Sequence, residues 1–151
     1  MLISLNYSEL LFDIKNKNRS EVASLEPSVR YRAEVGSDKK DEINRCLRTA
    51  LSTLTTTYVR FITEAFTLPV ENTVEDIDVI KINLYGSDRR FGGKVEAIAD
   101  ALHSILVNLT LSQFYVSVGQ PELSGMRANL ATADIQILKK LLYSKQPPCV
   151  C

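Results

Sequence analysis

The stretch GKVEAIADALHSILVNLTLSQFYVSVGQPELSGMRANLATADIQILKKLLYS, running from Gly93 to Ser144, decides the fold. Its first half sets Val95, Ile98, Ala99, Leu102, Ile105, Leu106, Leu109, Tyr115 and Val116 at the three-and-four spacing of a helix face. Gly119 tolerates the left-handed conformation that ends a helix, and Pro121 falls near the first position of the next one, where its missing amide costs nothing. The second half carries its own stripe, Leu123, Met126, Leu130, Ala133, Ile137, Leu138 and Leu141. Ala128, Ala131 and Ala133 are small enough to let a partner helix approach, and Lys139, Lys140 and Lys145 suit the negative end of the helix. The spacing predicts a helical hairpin whose residues serve packing.

Upstream of the hairpin, Val79 to Tyr85 changes to a period of two, with Ile80, Ile82 and Leu84 alternating against Lys81, Asn83 and Tyr85, which is a strand signal. A lone strand leaves its backbone unsatisfied, so it must pair with Met1 to Leu5, with the Val29 to Val35 region, or with a neighbouring subunit. Ile80, Ile82 and Leu84 are therefore candidate inter-subunit contacts. Further back, Ile43, Cys46, Leu47, Ala50, Leu51, Leu54, Tyr58, Phe61, Ile62, Ala65 and Phe66 keep helical spacing. One helix is expected through Thr55-Thr56-Thr57 to Pro69, packing overriding the β-branched preference there. Ser37 or Asp38 caps it, with Asp38, Asp41 and Glu42 in its first turn.

Pro27 to Gly36 reads as a loop. Asn6-Tyr7-Ser8-Glu9 fits a capping box opening a helix with Leu10, Leu11 and Ile14 on one face, and Glu21 to Leu25 is either its next turn or a separate short helix. The predicted fold is mainly α, an antiparallel bundle of about four helices with one short strand or hairpin element. It forms a single domain over residues 1–146, with 147–151 as a flexible tail.

A chain of 151 residues with 45% apolar and 24% charged residues has the composition of a packed globular domain, which argues against a fibre or a disordered tail. Eighteen basic and eighteen acidic residues leave no net field to draw the chain to nucleic acid or an anionic membrane. Neutrality suits a part that meets protein more than DNA. Met1 to Asn6 lacks the basic lead and apolar run of a secretory signal, and the polar residues interrupting the hairpin's first helix argue against a membrane span. The chain is read as cytosolic at synthesis. Three cysteines argue against a disulfide framework: Cys46 sits on an apolar stripe, and Cys149 and Cys151 with one distant histidine cannot close a zinc site. Asn18 and Asn108 match the glycosylation pattern only by chance without a secretory route.

Catalysis needs a nucleophile, base or metal cluster within mutual reach, and the chain has one histidine, His103, placed mid-helix as a partly buried packing residue. Asp76 and Asp78 lack the spacing of a calcium loop. Gly86 to Gly93 precedes a helix but has neither phosphate-loop pattern. No cofactor or metal site is expected. Arg89 and Arg90 in that segment are candidate contacts to an acidic subunit surface, with incidental proximity to DNA phosphate. Lys15, Lys17 and Arg19 form a weaker basic patch without the aromatics that stack on single strands.

One set of features goes further. Ile80-Lys81-Ile82-Asn83-Leu84 is followed by Ala101-Leu102-His103-Ser104-Ile105-Leu106-Val107-Asn108, then Phe114-Tyr115, Pro121, the Ala128 to Ala133 run, and Leu142-Tyr143 ahead of Pro147-Pro148. In these the chain resembles small proteins encoded among the virion-structure genes of Bacteroides phages and prophages. The likeness covers roughly the last 75 residues well and Ile43 to Phe66 loosely, and differs in Phe114 or Tyr115 where a tryptophan is expected and in the Cys-containing end. The resemblance implies a non-enzymatic virion protein, a head-to-tail (neck) adaptor or tail-completion protein assembled as an oligomeric ring. It implies portal, neck or tail proteins as partners, and residence in the virion and, during assembly, in the host cytoplasm. The alternative is a cytosolic helical protein-binding or regulatory module.

Overall fold

Asn6 ends a short strand and starts a helix. β1 (Leu2–Asn6) leads directly into α1 (Tyr7–Val22), where Asn6 Oδ1 accepts from the amides of Ser8 at 2.8 Å and Glu9 at 3.3 Å. Two of the four orphan donors at the helix start are thereby satisfied, which is the Asn6 half of the predicted capping box. The computed structural model describes residues 2–58, 62–68, 79–84 and 92–143.

The segment read as a loop contains a helix. α2 (Pro27–Ala33) begins with Pro27 in the first turn, where proline's fixed φ is already helical. Its far end is closed by Lys39, whose ammonium donates to the carbonyls of Tyr31 (2.9 Å), Arg32 (2.5 Å) and Glu34 (2.8 Å). A 3₁₀ turn, Ser37–Lys39, then enters α3 (Lys40–Thr53), which has Asp41 and Glu42 in its first turn.

The long helix expected from Ile43 to Phe66 is overturned. α3 stops at Thr53, widens into a π-helical turn over Leu54–Tyr58, and Ile62–Leu68 forms a strand, β2. Local preference wins at the threonines. The Thr55 and Thr56 hydroxyls bond back to the carbonyls of Leu51 and Ser52, both at 2.8 Å, a competition that bends and loosens a helix. Beyond them, Ile62, Thr63, Phe66 and Thr67 are residue types that suit a pleated surface.

The alternation at 79–84 does make a strand, β3 (Val79–Leu84). Among the described residues it is the middle strand of a three-stranded antiparallel sheet ordered β1-β3-β2, with Ile3 opposite Ile82, Leu5 opposite Ile80, and Ala65 opposite Ile82 on the other side. Of the pairing options, Met1 to Leu5 is the one realised, together with a partner that helical periodicity hides. This corrects the inter-subunit role given to Ile80, Ile82 and Leu84. Their strand is paired along both edges, and their side chains are 0%, 0% and 2% exposed within the chain's own core.

After a 3₁₀ turn at Gly92–Lys94, α4 (Val95–Ser117) and α5 (Pro121–Tyr143) form the predicted hairpin. Gly119 takes φ of +76°, and the Gln120 amide bonds the Tyr115 carbonyl at 2.8 Å while the Gly119 amide bonds that of Val116 at 3.3 Å. This pair of bonds closes a Schellman motif. α4 touches α1, α3 and α5 and is buried on nearly every side from Ile105 to Tyr115, with Val116 beyond them 65% exposed. Among the described residues it is the one helix long and apolar enough to cross a membrane, and its neighbours explain that composition: half of the apolar window is buried within the chain. One apolar core runs from Ile3 to Leu142, giving a mainly helical fold with a small sheet.

Candidate functional site

α5 carries two series of side chains at helical spacing. Ser124, Arg127, Ala131, Ile135, Leu138 and Leu142 are buried against α4. The other series is Met126 (41% exposed), Leu130 (44%), Ala133, which is also exposed, and Ile137 (52%). The stripe that reads as core in the sequence is thus largely the outward one. Apolar periodicity points to the wrong face because the inward face is interrupted by polar residues that find partners inside.

Those partners form a buried network. Arg127 donates to Glu21 Oε1 through Nε at 2.7 Å and through Nη2, and its Nη1 donates to Asn108 Oδ1 at 2.8 Å. Asn108 Nδ2 in turn donates to Asp134 Oδ2 at 2.7 Å, and Ser104 Oγ donates to the same oxygen at 2.6 Å. Ser124 Oγ donates to the Ser112 carbonyl at 2.9 Å, and Ser112 Oγ to the Ser124 carbonyl at 3.1 Å. A second knot lies nearby. Asn18 donates to the Ala33 carbonyl at 2.8 Å and to the Tyr115 hydroxyl at 3.3 Å, and accepts from the Val35 amide at 2.7 Å. Burial pushes the Tyr115 hydroxyl up to about 12, against the opposing effect of the Asn18 hydrogen bond. Asn18 and Asn108, 1% and 3% exposed, are therefore structural, which gives their surroundings a reason beyond the chance glycosylation match.

A third feature is an open groove of about 710 Å³ between β1, the start of α1 and the start of α4. Its lining includes Glu9, Phe12, Asp13, Asp100 and His103. His103 Nε2 lies 2.6 Å from Asp13 Oδ2, with the two side chains 23% and 43% exposed. His103 is therefore more than a packing residue, since it clamps α4 to α1. Ser4 and Ser8 line the same groove, and among the described residues no three His, Cys, Asp or Glu side chains gather closely enough to hold a metal ion.

Against family models, curated proteins and solved structures, the chain has no match.

What it offers is surface for contact. Along α5 the outward residues are spaced four, three and four apart, the pattern of a coiled-coil seam, on a helix whose opposite face is already anchored. Of the predicted contact residues, Ile80, Ile82 and Leu84 lie in the core, and Arg89 and Arg90 lie outside the described residues. Asp76, Asp78, Cys149 and Cys151 lie outside them too. Cys46 is half-buried on α3, its thiol pushed up to about 11 by burial and then by the Glu42 carboxylate, so it behaves as the small apolar residue its position predicts. The groove escapes sequence reasoning because Asp13 and His103 stand 90 positions apart. The α5 seam is visible in the sequence, but its periodicity assigns it inward.

Proposed function

We propose that the chain is a non-enzymatic virion structural protein, a head-to-tail (neck) adaptor or tail-completion protein. It works as a subunit of an oligomeric ring, in the virion and in the host cytoplasm during assembly. Its partners are copies of itself and portal, neck or tail proteins. The resemblance to virion-structure proteins supplies the context. One observation supports a role in protein contact, namely the outward seam Met126, Leu130, Ala133 and Ile137 on a helix otherwise fixed to the core. An apolar row of this kind, kept on a neutral chain, fits a surface that another protein covers. A ring requires a contact between two different patches of neighbouring copies.

Binding of the purified chain to recombinant portal, neck and tail proteins encoded beside its gene tests the proposal. Binding that is lost on Leu130→Glu is expected. A gene that sits away from portal, capsid and tail genes, or a chain that binds none of those proteins, overturns it. The second reading, a cytosolic protein-binding or regulatory module, is favoured by the open groove beside His103, for which the ring has no stated use. It predicts a chain that binds no virion protein.

A further inference from the structure

The assembly reading leaves open what covers the α5 seam before a virion partner is met. We infer that in the free protein it is covered by the α5 of a second copy, packed antiparallel about a two-fold axis near Ala131 and Thr132. The inference rests on the assembly reading for its context but on α5 alone for its geometry.

Laid antiparallel about that axis, the seam matches itself. Met126 meets Ile137 of the second copy, and Leu130 meets Ala133, so each large side chain faces a complementary one and the small alanines take the leucines. Leu123 lies opposite Lys140, whose aliphatic stem can cover it while the ammonium reaches the Glu122 carboxylate beside it. Glu122 and Lys140 are both exposed on the seam's flank, at opposite ends of the helix. Only the antiparallel arrangement brings these opposite charges together. Parallel pairing sets Lys140 against Lys140, Glu122 against Glu122, and alanine against alanine, which leaves a gap and two repulsions. Asn129 and Gln136, uncharged and exposed, border the middle of the seam on one side; on the other, Asp134 is half-buried, its Oδ2 held back toward α4 by Ser104 and Asn108.

A single helix face of about 34 Å makes an interface at the small end of the range, below about 1,200 Å² in total. The pair is therefore weak and concentration-dependent. It is also isologous and closed: it occupies the seam without growing into a ring, and a virion partner that binds the seam must displace the second copy.

Sedimentation equilibrium from a few micromolar to a few hundred micromolar is expected to show a monomer–dimer equilibrium, abolished by Leu130→Glu. Leu130 is 44% exposed, so the variant keeps its helical circular dichroism. The direction of pairing is read by disulfide cross-linking in a Cys149→Ser, Cys151→Ser background. A mixture of Met126→Cys and Ile137→Cys chains forms a covalent dimer, and neither chain does so alone, because like positions are separated by about 16 Å along the antiparallel pair. Cross-linking of either chain with itself overturns the inference, as does a monomer at every concentration. Binding to portal or tail proteins separates the two failures: a monomer that binds them sinks the pairing and leaves the assembly reading standing. A dimer that binds none of them does the reverse.

Discussion

Arg127 ties α5 to α1 through Glu21 and to α4 through Asn108. Its guanidinium and the Glu21 carboxylate have side chains only 9% and 11% exposed, so each charge depends on the other for its solvation. Removing one partner of such a pair is costly because the remaining ion is stranded. Arg127→Met is therefore expected to lower stability by about 3–5 kcal/mol, measured by urea denaturation, and adding Glu21→Gln recovers part of the loss. Tyr115 makes a different kind of prediction. Its hydroxyl loses its proton near 12 when folded against 10.0 as the ordinary value. The raised folded value leaves its contribution intact below pH 10. Between pH 10 and 12 the unfolded chain gives up the proton while the folded chain keeps it, so stability falls as pH rises through that window. The fall is on the order of 2 kcal/mol, and Tyr7, also raised by burial, adds in the same direction. Urea midpoints taken across pH 9 to 12 are expected to decline less steeply for Tyr115→Phe, which has no proton to release.

At the scale of elements, adjacent residues on α5 separate its two faces. Leu138 is fully buried and Ile137 is 52% exposed. Leu138→Ala is expected to cost about 2–5 kcal/mol, and Ile137→Ala to stay within about 0.5 kcal/mol, by thermal or urea unfolding. If the two costs were reversed, the face assignment would be wrong. The same pair shows how far the sequence can be read. Periodicity locates the helices at 95–117 and 121–143 and the strand at 79–84, since those signals are local and uninterrupted. It misplaces the inward face of α5 because it counts apolar residues, and Ser124 and Arg127 reach the interior on partners from other elements. It extends α3 too far because Ile62, Ala65 and Phe66 suit either period, and a strand's partner at Val79 to Leu84 is invisible from within the segment. It reads Pro27 to Gly36 as a loop because seven residues are too few to show a repeat. The groove is illegible for a related reason: its walls come from β1, α1 and α4, and no sequence window contains both Asp13 and His103.

The whole molecule is organised about α4, which sits against α1, α3 and α5, so the slowest-exchanging amides are expected in its middle, from Leu102 to Leu111. Hydrogen exchange followed by mass spectrometry checks this, and an α5 that outlasted α4 would contradict it. The sheet has a consequence of another sort. Ser4 receives a hydrogen bond from Lys81, 77 positions along the chain, and among the described residues β1 has its ladder partner in β3. During synthesis β1 leaves the ribosome well before β3 and waits, its inner residues Ile3 and Leu5 uncovered, until the strand that it pairs with, 77 positions later from Ser4 to Lys81, has followed. A strand made early is thus settled late, and chaperone engagement in the cell is expected to fall on the interval between the two.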